Sequence, residues 1–162
     1  MKTAIVFYSM SGNTALAAGK LAEALSADLI RIRPEHAYPD KGFRKFFHGG
    51  RSAVMAETPK LEPYTFHGEE YDTVIFGFPV WASNIAPPVR SFVRENRDAL
   101  SEKRIAAFAC MSGSGGEKAR AKLADCLGRG QLTAVMVLID PKDRPKPEND
   151  RQFSAFLEKL RK

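Results

Sequence analysis

Six consecutive residues carry the clearest chemical potential in the sequence: Ser9-Met10-Ser11-Gly12-Asn13-Thr14, set between an apolar run and a helical pattern. A helix start exposes backbone N–H groups that have no partner inside the helix, together with the positive end of the helix dipole, so it favours a phosphate. Gly12 allows a tight turn and a close approach of backbone to ligand, while Ser9, Ser11 and Thr14 offer hydroxyls and Asn13 an amide. The segment holds no Lys or Arg, so an anion here would rest on neutral dipoles alone. The plain structural alternative is a polar turn in which Ser11 or Asn13 caps the helix.

Spacing removes two other phosphate motifs. A Walker loop needs Lys followed by Ser or Thr after its glycines, and none follows Gly12. A dinucleotide fold needs Gly-x-Gly-x-x-Gly after the first strand, where only Gly12 stands. The histidines His36, His48 and His67 are too far apart in sequence for a local metal motif, so no metal site is assigned. Cys110 and Cys126 lack metal-ligand spacing and are too few for a disulfide scaffold. With no His or second Cys near it in sequence, Cys110 reads as a buried strand-end thiol and Cys126 as helix packing.

The elements that must position the polar segment follow from periodicity. Apolar runs alternate with helical patterns, the mark of a parallel sheet covered on both faces. Five strands are expected: Ala4 to Tyr8, Asp28 to Arg33, Thr73 to Val80, Arg104 to Cys110 and Leu132 to Asp140. The second alternates Leu29, Ile30 and Ile32 with Arg31 and Arg33 and suits a sheet edge. Helices are expected over Asn13 to Leu25 (with Ala17, Leu21, Ala24 and Leu25 on one face), from Pro87-Pro88 through Val89, Phe92 and Val93, over Gly116 to Leu127, and over Asp150 to Leu160, burying Phe153, Phe156, Leu157 and Leu160.

Between the second and third strands, residues 34–71 exceed what a simple crossover needs. This insertion carries Phe43, Phe46 and Phe47, an expected helix from Lys41 to Val54, and an extended return through Pro59 and Pro63. No internal repeat or second domain is read, so residues 1–162 are expected to form one domain. The length of 162 residues suits a single core.

Bulk properties narrow the function classes. Hydrophobic residues make up 44% of the chain and charged ones 27%, which fits a folded protein. No apolar run approaches the roughly 18 residues needed to cross a bilayer, and the N-terminus reads as a strand, not a signal peptide. A reduced, cytoplasmic setting is the expectation, with no membrane partner. The net charge of +6 comes from scattered Lys and Arg without a recognition helix or an RNA-binding aromatic signature, so no nucleic-acid partner is expected. The charge bears instead on an anionic substrate or an acidic partner.

With these residues in view, the chain resembles the flavodoxins. Ser9-x-Ser11-Gly12-Asn13-Thr14 is similar to their phosphate loop. Gly77-Phe78-Pro79-Val80-Trp81-Ala82-Ser83-Asn84, followed by Pro87-Pro88 and Phe92, looks like their first flavin-ring loop. Cys110-Met111-Ser112-Gly113-Ser114-Gly115-Gly116 falls where their second ring loop lies. The resemblance implies a three-layer α/β sandwich around a five-stranded parallel sheet of order 2-1-3-4-5, with helices on both faces. It also implies non-covalent flavin mononucleotide (FMN) held by residues 9–14, Pro79 to Asn84 and Met111 to Gly115. In such a sheet the crevice lies beyond the carboxyl ends of strands one and three, where the order reverses. Trp81 would offer the ring a flat face, and Gly113 to Gly116 would let backbone N–H groups approach its edge.

Two departures bear on the kind of redox protein expected. The 110–116 segment has no aromatic residue to cover the second ring face, leaving it open or covered by Phe46, Phe47 or His48. Carrier flavodoxins are typically acidic, whereas this chain is basic, and positive surroundings raise a flavin's potential. The expectation is a redox protein that works with a partner protein, or with NAD(P)H and a small quinone-like acceptor as an FMN-dependent oxidoreductase. No side chain is needed as an acid or base, and none is named catalytic. A homodimer through the aromatic insertion is a further expectation. The alternatives are a cofactor-free scaffold acting as a binding partner and a phospho-receiver, although the acidic residues of a receiver are missing at Phe7-Tyr8-Ser9 and Pro79-Val80.

Overall fold

The computed structural model describes residues 1–39 and 50–162. Five strands form one parallel sheet: β1 (Thr3–Phe7), β2 (Asp28–Arg31), β3 (Thr73–Pro79), β4 (Arg104–Met111) and β5 (Ala134–Ile139), in the order β2-β1-β3-β4-β5. The helices are α1 (Asn13–Leu25), α2 (Pro87–Glu95), α3 (Arg97–Leu100), α4 (Gly116–Cys126) and α5 (Pro147–Arg161), with a short 3₁₀ turn at Gly68–Glu70. The three-layer arrangement and strand order expected from the resemblance are those observed.

Each central strand is apolar throughout because its residues alternately feed two cores. Ala4, Val6, Val74, Phe76 and Phe78 face α2 and α4, where they meet Val89, Phe92, Val93, Ala119 and Leu123. Ile5, Phe7, Ile75, Phe108, Met136 and Leu138 face α1 and α5, where they meet Ala17, Ala18, Leu21, Phe156 and Leu160. Gly77 makes room between the strands: a Cβ there would lie 2.2 Å from Phe108 Cζ.

The edges depart from the sequence expectations in instructive ways. β2 lies at the sheet edge as expected but ends at Arg31, and the Ile32 N–H still bonds the Phe7 carbonyl at 2.9 Å. β5 starts at Ala134 instead of Leu132, and as the other edge it buries only alternate residues. In α1, Ala24 is exposed and Leu25 half-buried, because the helix faces the sheet through Ala17, Ala18 and Leu21. The final helix begins at Pro147, three residues before Asp150. Proline suits a first helical position, and Glu148 and Asp150 oppose the dipole. Phe156 and Leu160 are buried there, while Phe153 and Leu157 are only half-buried.

In the long connection between β2 and β3, the return strand pairs locally with residues 33–35. The Glu35 N–H bonds the Lys60 carbonyl at 2.9 Å, and the Glu62 N–H bonds the Arg33 carbonyl at 2.8 Å. Of the helix expected over Lys41–Val54, residues 50–54 are helical, whereas 41–49, with Phe43, Phe46, Phe47 and His48, lie outside the described residues. No helix is long and apolar enough to cross a membrane among the described residues. Nor does any cluster of three His, Cys, Asp or Glu there suit a metal ion.

Candidate functional site

The carboxyl ends of β1, β3, β4 and β5 open on a cleft that encloses about 150 Å³. Its floor is the turn from β1 into α1. Gly12 stands at the helix N-cap with φ +97°, a left-handed conformation that favours glycine. Neither Ser11 nor Asn13 caps the helix: the Ser9 hydroxyl accepts the Ala15 N–H at 3.1 Å, which leaves the start of the turn open. The N–H groups of Ser11, Gly12, Asn13 and Thr14 meet no acceptor among the described residues. Thr14 is buried beside Cys110 and lines the cleft with Met10, Ser11 and Asn13.

Asn13 is committed to the fold. Its Oδ1 accepts the Lys142 N–H at 2.8 Å, and its Nδ2 donates to Asp143 Oδ2 at 2.8 Å. These bonds clamp the loop after β5 onto the head of α1. The same loop brings Lys142 Nζ within 3.1 Å of the Ser11 carbonyl oxygen, which accepts a hydrogen bond from it. The expectation of a site built only from neutral dipoles is therefore corrected. An ammonium from residue 142 lies beside the turn because Asn13 docks its loop there, a contact across more than a hundred residues that local sequence does not show.

The second wall is the segment after β3. Trp81 and Asn84 exchange backbone hydrogen bonds of 3.1 and 2.9 Å around Ala82 (φ +49°) and Ser83 (φ +58°), a tight turn with both central residues left-handed. Such strain in non-glycine residues is characteristic of ligand-handling segments. Trp81 meets Tyr8 edge-to-face at 5.6 Å between centroids and Tyr38 at 5.1 Å. Its ring is thus anchored on one side by tyrosines instead of standing alone as a free platform. Burial raises the pKa of both phenols, so they stay neutral over the ordinary pH range.

The third wall is the end of β4 and the loop that follows. Cys110, Met111 and Ser112 line the cleft, and burial pushes the Cys110 thiol up to about 12, which makes it a poor nucleophile. The Ser112 hydroxyl donates to Asp140 Oδ1 at 2.9 Å. Arg144 donates to the other carboxylate oxygen through Nε at 2.8 Å and to the Ser112 carbonyl at 3.0 Å. The buried Asp140 also lines the cleft, with its charge met by that guanidinium.

Of the residues singled out in sequence, Met10, Ser11, Asn13, Thr14, Pro79, Val80, Trp81, Ala82, Met111 and Ser112 converge on this one cleft. Ser9 and Gly12 shape the turn without lining it. Ser83, Gly113, Ser114 and Gly115 border a neighbouring depression near Val137 and Gln152. Asn84 is occupied elsewhere: its Nδ2 donates to the Ala53 carbonyl at 3.1 Å, and its Oδ1 accepts from the Ile85 N–H at 2.9 Å. Sequence reasoning missed Gly50, Asp140, Lys142 and Tyr38. Only Asp140, at the end of an expected strand, carried a local signal.

A family model described as Flavodoxin matches residues 2–138. The chain belongs to the flavodoxin family. Among solved structures, a candidate flavoprotein from Bacteroides eggerthii DSM 20697 is 21% identical with a TM-score of 0.76, covering 97% of this chain and 96% of its own. A Lactobacillus acidophilus NCFM flavoprotein in complex with FMN is 19% identical with a TM-score of 0.71, covering 93% and 97%. The two-electron reduced flavodoxin of Megasphaera elsdenii is 16% identical with a TM-score of 0.60, covering 97% and 99%. At these identities the likenesses carry the fold. No curated protein gives a significant match.

Proposed function

We propose that the protein binds FMN non-covalently in this cleft and uses it to transfer electrons. The observation that carries the reading is the head of α1, where four consecutive N–H groups, from Ser11 to Thr14, find no acceptor among the described residues, beside a cleft lined by Ser11, Asn13, Thr14, Trp81 and Met111. Such a nest matches a phosphate in charge and in hydrogen-bonding capacity. The residues fit the group: Gly12 leaves the turn without a Cβ, Ser11 and Thr14 contribute hydroxyls, and Pro79, Val80, Trp81, Ala82, Met111 and Ser112 supply the mixed apolar and polar walls a flat heterocycle needs.

When bound, FMN supplies the electron-transfer chemistry, and the chain supplies binding and electrostatics. Trp81, wedged against Tyr8 and Tyr38, fixes one wall of the ring site. The hydrogen-bonded set Ser112, Asp140 and Arg144 fixes another. The exposed rim at Ala82 and Ser112 leaves the mouth of the cleft open to a second reactant. Within this reading, NAD(P)H as donor and a small quinone-like acceptor suit a basic chain with no aromatic residue between Cys110 and Gly116. A partner protein would serve equally as an electron source. The cytoplasm is the proposed setting, and the arrangement of residues 1–162 as one domain belongs to the same reading.

The test is the visible spectrum of the purified protein, followed by titration of the apoprotein with FMN while the emission of Trp81, the sole tryptophan, is recorded. Yellow protein, or saturable quenching on adding FMN, supports the reading. Colourless protein whose emission ignores FMN removes it and favours a cofactor-free scaffold. Steady-state assays with NADH and NADPH against quinones then separate enzyme from carrier, since rapid turnover without a partner protein marks an enzyme.

A further inference from the structure

The loop between β5 and α5 presents a cation where helix electrostatics alone would discourage one. Lys142 Nζ donates to the Ser11 carbonyl at 3.1 Å, and its side chain lies over Gly12, where an added Cβ would sit 3.2 Å from both Cδ and Nζ. The first turn of α1 is the positive pole of that helix and contains no acidic residue. Its nearest carboxylate, Asp143, is 3.9 Å from the ammonium and already accepts from Asn13 Nδ2. A cation over a positive helix end is relieved when an anion lies between them.

The placement is enforced by the fold. Asn13 binds the Lys142 backbone N–H through Oδ1 and the neighbouring Asp143 through Nδ2, so the loop is docked on the turn at two points. The ammonium has three N–H donors and gives one to Ser11, which leaves others for a ligand. Gly12 is left-handed and bare, so the lysine stem can cross directly above it.

We infer that Lys142 is a phosphate-selectivity residue: its ammonium closes over the head of α1 and pairs with the phosphate of the flavin nucleotide, so that the protein discriminates FMN from riboflavin by charge as well as by neutral donors. The inference rests on the FMN reading above. It predicts that binding of the phosphorylated flavin depends on ionic strength, because a half-exposed ammonium is screened by salt.

The experiment measures dissociation constants of FMN and riboflavin by Trp81 fluorescence for the wild type, K142Q and K142R, at low and high salt. In K142Q, FMN binding weakens about fivefold at low salt, as expected of a half-exposed ion pair, and the loss shrinks as salt rises. Riboflavin binding stays unchanged, and K142R restores FMN affinity. Equal weakening of both flavins would mean that Lys142 only braces the loop, and an unchanged FMN constant would mean that its ammonium never meets the phosphate. Either result overturns the inference while leaving the cofactor assignment intact. Wild-type protein that binds neither flavin removes the assignment itself, and the inference with it. Thermal melting of K142Q confirms that the fold is retained.

Discussion

Gly115 joins two walls of the site, and its replacement by alanine tests how tightly they are held together. It caps α4 with φ +96°, in the left-handed region, where a side chain costs about 1–2 kcal/mol. Space is also lacking: an added Cβ would lie 2.5 Å from Ser83 Oγ and 2.9 Å from Ser83 Cα. The hydroxyl can rotate away, but the Cα belongs to a turn closed by two backbone hydrogen bonds between Trp81 and Asn84, so the turn must shift as a unit. Overpacking of this kind costs about 1–3 kcal/mol. Together the effects should destabilise Gly115→Ala by about 2–5 kcal/mol and displace Trp81, which weakens FMN binding. Gly113→Ala is the control, since no heavy atom lies within 4 Å of its added Cβ and it lacks a positive φ. It should stay within about 0.5 kcal/mol of wild type. Urea midpoints give the stabilities, and fluorescence titration gives the affinities. If the two variants prove equally stable and bind FMN alike, the packing of the 111–115 loop on the Ser83 turn is not what positions the tryptophan.

Other perturbations address the remaining walls. Ala82→Gly relieves a left-handed alanine but adds chain freedom when unfolded, for a net gain of about 0.5–1 kcal/mol in urea unfolding; a loss would mean the turn gains nothing from relieving that φ. Asn13→Ala removes the bonds to Lys142 and Asp143 and should cost about 1–3 kcal/mol, with lowered FMN affinity as the 141–143 loop detaches; wild-type-like melting would deny the clamp. The Cys110 thiol, raised by burial from 9.0 to about 12, binds its proton more tightly folded than unfolded. Its stabilising contribution is therefore complete below pH 9 and is lost as pH climbs from 9 toward 12, by up to about 1.4 kcal/mol per unit. Urea midpoints of wild type should fall relative to Cys110→Ala across that window, and parallel curves would show that the thiol titrates normally.

Local pattern alone determined the strands, most of the helices and the phosphate-like turn. Strand and helix periodicities are short-range, and Gly12 with its flanking hydroxyls announces an open helix start within six residues. Burial on both faces made β1, β3 and β4 legible as unbroken apolar runs. At the edges, where one face is relieved of packing, the ends of β2 and β5 and the start of α5 shifted by two or three residues. Tertiary structure alone decided which groups surround the turn. Lys142 reaches the turn, Asp140 lines the cleft beside it and Tyr38 packs on Trp81 because a parallel sheet gathers the carboxyl ends of distant strands, and no local spacing encodes that meeting. Asn13 could be read as a cap, a ligand donor or a brace, and its bonds to Lys142 and Asp143 make it the brace. Trp81 was legible as an aromatic at the right loop, but only its packing against Tyr8 and Tyr38 shows which side is already taken.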